Sequence, residues 1–251
     1  MGKNTRGRIE TLSTVETAFS ILEFIGEKGQ VSASVIAREL SLVRSNVHRL
    51  LFTLNRLGYV ERGERDVYHL TFSLFELGNT VPHSRNLIDS VRPAMLRLAQ
   101  LTGETVNHGV LYEHEVLYID KVEATAHLKL DREIGSVDPA YCTSLGKVLL
   151  AFQGEDEREK ILRSLSLEPR TEHSIIDPDR LRRELAAVKA QGYAFDFQEL
   201  SLELNCVAAP IFNDKGRIVS AMSISGPSVR FTPERMKSVV EHIKAAAAGR
   251  D

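Results

Sequence analysis

The first 60 residues contain three stretches in which apolar residues return every three or four positions, the spacing of one helix face. In the first, 15–28, Val15, Ala18, Phe19, Leu22 and Ile25 form the stripe, with Ser13 or Thr14 placed to cap it and Gly29 to stop it. The second, 32–40, opens at Ser32 and turns Val35, Ile36 and Leu40 inward. After the turn Ser41-Leu42-Val43, the third sets Val47, Leu50, Leu51, Leu54 and Leu57 on one face and Ser45, Asn46, His48, Arg49, Thr53 and Arg56 on the other. Three helices in this order, the last polar on its outer face and poor in carboxylates, predict a helix-turn-helix whose third helix enters a major groove. From Tyr59 the period shortens to two. Tyr59-Val60-Glu61-Arg62 and Val67-Tyr68-His69-Leu70 are expected as strands around the polar tip Gly63-Glu64-Arg65-Asp66, a wing.

Beyond the wing, 72–78 is expected as a short helix broken by Pro82-His83-Ser84, and 87–101 as a linker and dimer helix striped by Leu87, Ile88, Val91, Met95 and Leu98. Strands are expected at 105–111, 116–122 and 128–133. Helices are expected to start at Ser144 and near Glu155, with another over 179–191. Strands at 206–212 and 217–225 then precede a last helix from Pro233. This order predicts an α+β chain: residues 1–72 a winged helix-turn-helix, 73–101 linker helices, and 102–251 a domain with an antiparallel sheet covered by helices.

At 251 residues, 43% hydrophobic and 26% charged, the chain is long enough for two ordinary globular domains. Its net charge of -2 argues against indiscriminate polyanion binding, so DNA contact must come from a local surface. Between positions 38 and 65 stand Arg38, Arg44, Arg49, Arg56, Arg62 and Arg65, against the acids Glu39, Glu61, Glu64 and Asp66 at or beside them. So small an excess suits a specific dimer with several phosphate contacts better than a salt-driven, sliding binder. Cys142 and Cys206 lack zinc-ligand spacing and are expected as buried, reduced thiols, with no metal and no cofactor. No apolar run approaches the roughly 20 residues that cross a bilayer, so neither membrane insertion nor export is expected, and the location is expected to be cytoplasmic.

Five segments taken together are more specific than any one of them. Ser45-Asn46-Val47-His48-Arg49-Leu50-Leu51, Gly58-Tyr59-Val60, Thr143-Ser144-Leu145-Gly146-Lys147-Val148-Leu149-Leu150-Ala151, Gly192-Tyr193-Ala194-Phe195-Asp196 and Ser223-Ile224-Ser225-Gly226-Pro227 occur in an order and spacing that resemble the IclR family of bacterial transcriptional regulators. The resemblance implies a winged helix-turn-helix joined to a GAF-like effector-binding domain, operator DNA as partner, a homodimer or dimer of dimers, and repression or activation of catabolic genes, repression being the expectation here. Five positions depart from the family's usual residues: Asn46 stands for Thr, Ser41 and Glu203 each for Gly, and Phe197-Gln198 for two acids. Ser41 is tolerable if φ at that turn stays negative.

For the DNA end, Asn46 is expected to pair with an adenine and Arg49 with a guanine or phosphate, with Arg44, Ser45, His48 and Thr53 beside them. Arg62, Arg65 and Tyr68 on the wing, and the arm Lys3, Arg6 and Arg8, are expected at phosphates or a minor groove. For the sensing end, Thr143 and Ser144 before a helix gather hydroxyls and free N–H groups at its N-terminus, a carboxylate site. The resemblance further implies effector contacts at Ser144, Leu145, Asp196 and Leu204, and at Cys206, Ser223 and Ser225. None of these is Arg or Lys, so the helix end is expected to hold the charge of a small organic acid while Asp196 accepts from its hydroxyl. A rival enzyme reading needs Cys142 or Cys206 beside a histidine, or Ser144 with His173 and Asp196, yet no nucleophile-elbow or metal motif supports it and no catalytic residue is expected. A second rival keeps the ligand domain and gives the winged helix to protein contact.

Overall fold

The computed structural model describes residues 11–84, 87–123 and 132–249. The chain divides into two compact units, Met1–Val81 and Pro82–Asp251.

The first unit begins with α1 (Ser13–Lys28), β1 (Val31–Ser32), α2 (Ala33–Glu39) and α3 (Arg44–Arg56), followed by β2 (Val60–Arg62) and β3 (Val67–Leu70). Its core is built from Ile21, Leu22 and Ile25 of α1, Ile36 of α2, and Val47, Leu51 and Leu54 of α3. The inward face of α1 keeps Leu22 and Ile25 of the expected stripe and adds Ile21, which is fully buried, whereas Val15 and Phe19 are exposed, Phe19 at 59%. Leu57 is likewise exposed, because α3 ends at Arg56 and the chain turns away through Gly58 at φ +81°. The wing is a three-stranded antiparallel sheet in the order β1-β3-β2, with Val31 opposite Tyr68, a strand too short for its alternation to show in the sequence. Between α2 and α3, Ser41 sits at φ +54°, and the turn closes by a 2.8 Å bond from Leu42 N–H to Ala37 O. The backbone there is left-handed, contrary to the negative φ that would have made Ser harmless.

α4 (Phe72–Ser84) runs past the expected break at Pro82. A proline removes one i to i−4 hydrogen bond, and so close to a helix end that loss does not terminate it. The arm Lys3, Arg6 and Arg8 lies outside the described residues, as does most of the strand expected at 128–133.

The second unit contains α5 (Leu87–Thr102), β4 (Thr105–Tyr112), β5 (Glu115–Val122), β6 (Val137–Pro139), α6 (Ser144–Ala151), α7 (Glu155–Ser164), α8 (Pro178–Gln191), β7 (Ala194–Phe197), β8 (Leu204–Phe212), β9 (Ile218–Pro227), α9 (Pro233–Ser238) and α10 (Val240–Ala247). The strands form one antiparallel sheet in the order β6-β5-β4-β9-β8-β7. Helices cover both faces. α6, α7 and α8 pack on the face that carries Ala208 and Ala221, and α5, α9 and α10 on the face that carries Val207, Ala209, Met222 and Ile224. Two-sided coverage explains why β8, Leu-Asn-Cys-Val-Ala-Ala-Pro-Ile-Phe, is almost uninterruptedly buried. No helix among the described residues is long and apolar enough to cross a membrane.

Candidate functional site

On the α6 side of the sheet, the apolar face gives way to polar side chains at one end. Along β9, Ala221, Ser223 and Ser225 point to the same face, alternating with Met222 and Ile224 on the other. Cross-strand register then aligns two rows: Asp196, Cys206 and Ser225 across β7, β8 and β9, and Asn107, Ser223 and Ala208 across β4, β9 and β8. The start of α6 closes the space above them. Thr143 caps that helix, its Oγ1 accepting from Gly146 N–H at 3.1 Å, and the next two N–H groups, of Ser144 and Leu145, precede the intrahelical ladder. α6 can lie this close only because residue 146 is glycine: a Cβ there would stand 2.2 Å from the Cα and carbonyl oxygen of Ala140.

The result is a cavity of about 90 Å³, room for several waters or the polar part of a small ligand. Ser144, Leu145, Asp196, Leu204, Cys206, Ser223 and Ser225, the residues the sequence pointed to, all line it. Asn107, Tyr118, Arg132, Leu200 and Ser201 line it too and were not expected. Asn107 had a faint signal, a polar residue between Val106 and His108 in a strand buried at this end. Arg132 had none, and it changes the electrostatics, since the expected set held no cation.

Two acceptors in this cavity lack partners. Asn107 donates from Nδ2 to Ser225 Oγ at 3.2 Å, yet its Oδ1 is buried without a hydrogen bond among the described residues. Asp196 is 1% exposed; Oδ1 accepts from the backbone N–H of Glu199 and Oδ2 from nothing described. Burial first, and the neighbouring Glu199 charge second, push its carboxyl up to about 7. Burial likewise pushes the Cys142 thiol up to about 12 and that of Cys206 well above its ordinary value, the opposite of an activated nucleophile. No histidine among the described residues lines the cavity, and His173 lines a separate groove with Lys147 and Glu184, so the Ser144, His173 and Asp196 set is not assembled.

In the first unit, Arg44, Ser45, Asn46, His48, Arg49 and Thr53 are all exposed on α3, as is Arg65 on the wing at φ +58°. Asn46, Arg49 and Thr53 also line one groove beside Ser13, Thr14 and Thr17 of α1. Tyr68 differs from the expectation. It is 8% exposed and packed in the core, because its alternation on β3 turns it inward toward α1 and α2 while His69 turns out. Arg62 is ion-paired with Asp66 at 2.5 Å, which leaves Arg65, of the two arginines at the tip, as the one without an ion pair among the described residues.

Two family profiles match the chain: the IclR helix-turn-helix domain over residues 14–64 and the bacterial transcriptional regulator IclR C-terminal domain over residues 79–249. The HTH-type transcriptional regulator KdgR of Escherichia coli (strain K12) is 36% identical over 239 residues, covering 95% of this chain and 91% of its own. The transcriptional repressor IclR of the same organism is 34% identical over 234 residues, 92% of this chain and 84% of its own. Among solved structures, an IclR homolog from Microbacterium hydrocarbonoxydans complexed with 4-hydroxybenzoate is similar with a TM-score of 0.81 and 26% identity, over 94% of this chain and 96% of that one. The two curated relatives are named as transcriptional regulators. With both halves matched and the α3 surface free for a groove, the chain belongs to the IclR family and is a DNA-binding transcriptional regulator.

Proposed function

We propose that this regulator is a cytoplasmic homo-oligomeric repressor of catabolic genes, whose affinity for operator DNA is set by a small organic acid bound between α6 and the sheet. The observation that carries the reading is the cavity itself: polar groups from five strands and a helix start converge there, with two buried acceptors unpaired among the described residues. Such atoms cost free energy unless a ligand or water meets them, so the site is built for a partner that donates hydrogen bonds. A hydroxyl meets that need at Asp196 or Asn107, while a carboxylate suits the N-terminus of α6. A relative 34% identical bears the name of a repressor, and a structural neighbour holds an aromatic hydroxy acid; both support the reading by analogy. On the DNA side, Asn46 and Arg49 read bases, Arg44, Ser45, His48, Thr53 and Arg65 position the helix on phosphates, and two-fold symmetry of the oligomer sets the spacing of half-sites.

Effector binding acts by favouring one of two arrangements of the protein over the other, a coupling typically of about 1 to 3 kcal/mol, or roughly 5- to 150-fold in operator affinity. Fluorescence anisotropy on DNA from upstream of the gene, with and without lactate, gluconate and 4-hydroxybenzoate, tests this. Binding that one of these acids shifts several-fold supports the proposal. DNA binding that none of them moves refutes effector control, and no DNA binding under any condition refutes the operator.

A further inference from the structure

Resting on the organic-acid reading above, we infer that Arg132 is the specificity-determining residue of the cavity, the group that selects a ligand carboxylate over a neutral ligand of the same shape. Its guanidinium stands at the cavity wall, and its Nε lies 2.6 Å from Asp138 Oδ2. The same Asp138 oxygen accepts from Tyr118 OH at 3.0 Å, and Tyr118 is itself a wall residue. Asp138 is anchored on β6 opposite Val116 of β5, so Arg132 is aimed by a sheet residue even though it stands outside any strand. A planar guanidinium held through one nitrogen still offers a fork of N–H groups, the geometry that fits a carboxylate bidentately.

Among the described residues the charges leave this role to Arg132. Lys147, a buried cation on the same side of the sheet, is 1% exposed and spent on Glu199 and Glu184. Among the described residues that line the cavity, Arg132 is the sole cation and Asp196 the sole carboxylate. The positive charge of Arg132 is felt at Tyr118 and at Cys206, opposite Asp196 in the sheet, so it reaches across the site. A hydroxy acid is therefore accommodated with its carboxylate on Arg132 and its hydroxyl donating toward Asp196 or Asn107. The N-terminus of α6, which alone cannot distinguish an anion from a hydrogen-bonding neutral group by charge of a full unit, contributes additional N–H donors.

The test is isothermal calorimetry of the full chain with lactate, gluconate and 4-hydroxybenzoate, each beside its neutral amide: lactamide, gluconamide and 4-hydroxybenzamide. For wild type, at least one acid is expected to bind more tightly than its amide. In Arg132→Gln that preference falls by about tenfold to a hundredfold, the range of a charge-assisted pair, while amide affinity stays within about threefold. Arg132→Lys keeps the charge without the fork and recovers part of the preference. A folded Arg132→Gln protein, checked by its thermal transition, that still prefers the acid overturns the assignment to Arg132 and leaves the organic-acid reading standing. Wild type that binds no acid in preference to its amide overturns both.

Discussion

Asp196 Oδ1 accepts the backbone N–H of Glu199 at 2.7 Å, while Oδ2 of the same carboxyl is buried in the cavity with no partner among the described residues. One oxygen is thus committed to the fold and the other is left for a ligand. Because burial pushes this carboxyl from 3.8 up to about 7, the folded protein holds a proton that the unfolded chain has released between about pH 4 and pH 7. The native state binds more protons in that window, so this group's contribution is fully present below pH 4 and is lost as pH rises through 7. Asn retains an oxygen for the Glu199 N–H without a charge to desolvate. In urea melts, Asp196→Asn is expected to gain stability relative to wild type on going from pH 5 to pH 8. Parallel pH profiles for the two proteins would contradict this.

The same proton bears on binding. An ionised Asp196 repels an incoming carboxylate in a poorly solvated site, so acid affinity should decline as pH rises through about 7 and binding above it should take up a proton. Calorimetry in two buffers of different ionisation enthalpy measures the uptake directly. In Asp196→Asn the buffer dependence should vanish; its persistence would place the proton elsewhere.

Lys147 and Glu199 form a buried contact beneath the segment that walls the cavity. That segment is further tied down by Thr171 Oγ1 donating to Gln198 O at 2.6 Å and Ser174 Oγ to Glu199 O at 2.6 Å. Burial raises the Glu199 carboxyl and the Lys147 charge opposes it. Lys147→Met strands the carboxylate and should cost roughly 3 to 5 kcal/mol at pH 7, and less as the pH falls, because burial raises the Glu199 carboxyl and favours its neutral form. Adding Glu199→Gln should return most of the loss, because a neutral amide tolerates burial. A single variant as stable as wild type by denaturant titration would show the pair to be dispensable.

Ser41 at φ +54° carries the cost of a left-handed backbone that glycine adopts freely. Ser41→Gly relieves about 1 to 2 kcal/mol of strain and returns part of it through the greater freedom of the unfolded chain. A net gain of roughly 0.5 to 1 kcal/mol in thermal or urea melts is expected, and a loss would mean that the Ser41 side chain contributes contacts worth more than the strain.

At the DNA surface, Asn46→Ala and Arg49→Ala should each weaken operator binding by about 1 to 3 kcal/mol if they read bases, with the loss confined to the cognate sequence. Arg65→Ala should weaken all sequences alike and lower the salt slope by about one. Tyr68→Phe, buried in the core, should leave affinity unchanged. Anisotropy titrations at three salt concentrations separate these cases, and a large effect of Tyr68→Phe would return that hydroxyl to the interface.

Much of this molecule is written in local patterns. The period of α3, the glycine after α8 and the alternation of β9 are properties of neighbours in the chain, and they sufficed for the helix-turn-helix and the α+β order, while the seven expected cavity residues came from the family resemblance of five segments. What local pattern cannot contain is which side of an element meets another. Ile21 faces the core in place of Phe19, and Tyr68 turns inward, because those choices depend on where α2, α3 and β1 pass. Pro82 fails to end α4 for a similar reason, since its effect depends on how near the helix end already is. The sharpest case is Arg132. By itself the sequence marked the helix start at Thr143 and Ser144, and its family resemblance grouped two serines, an aspartate and a cysteine with it. Only the tertiary structure brought an arginine from outside any strand to the same wall, because its partner Asp138 is carried there by strand pairing between β5 and β6.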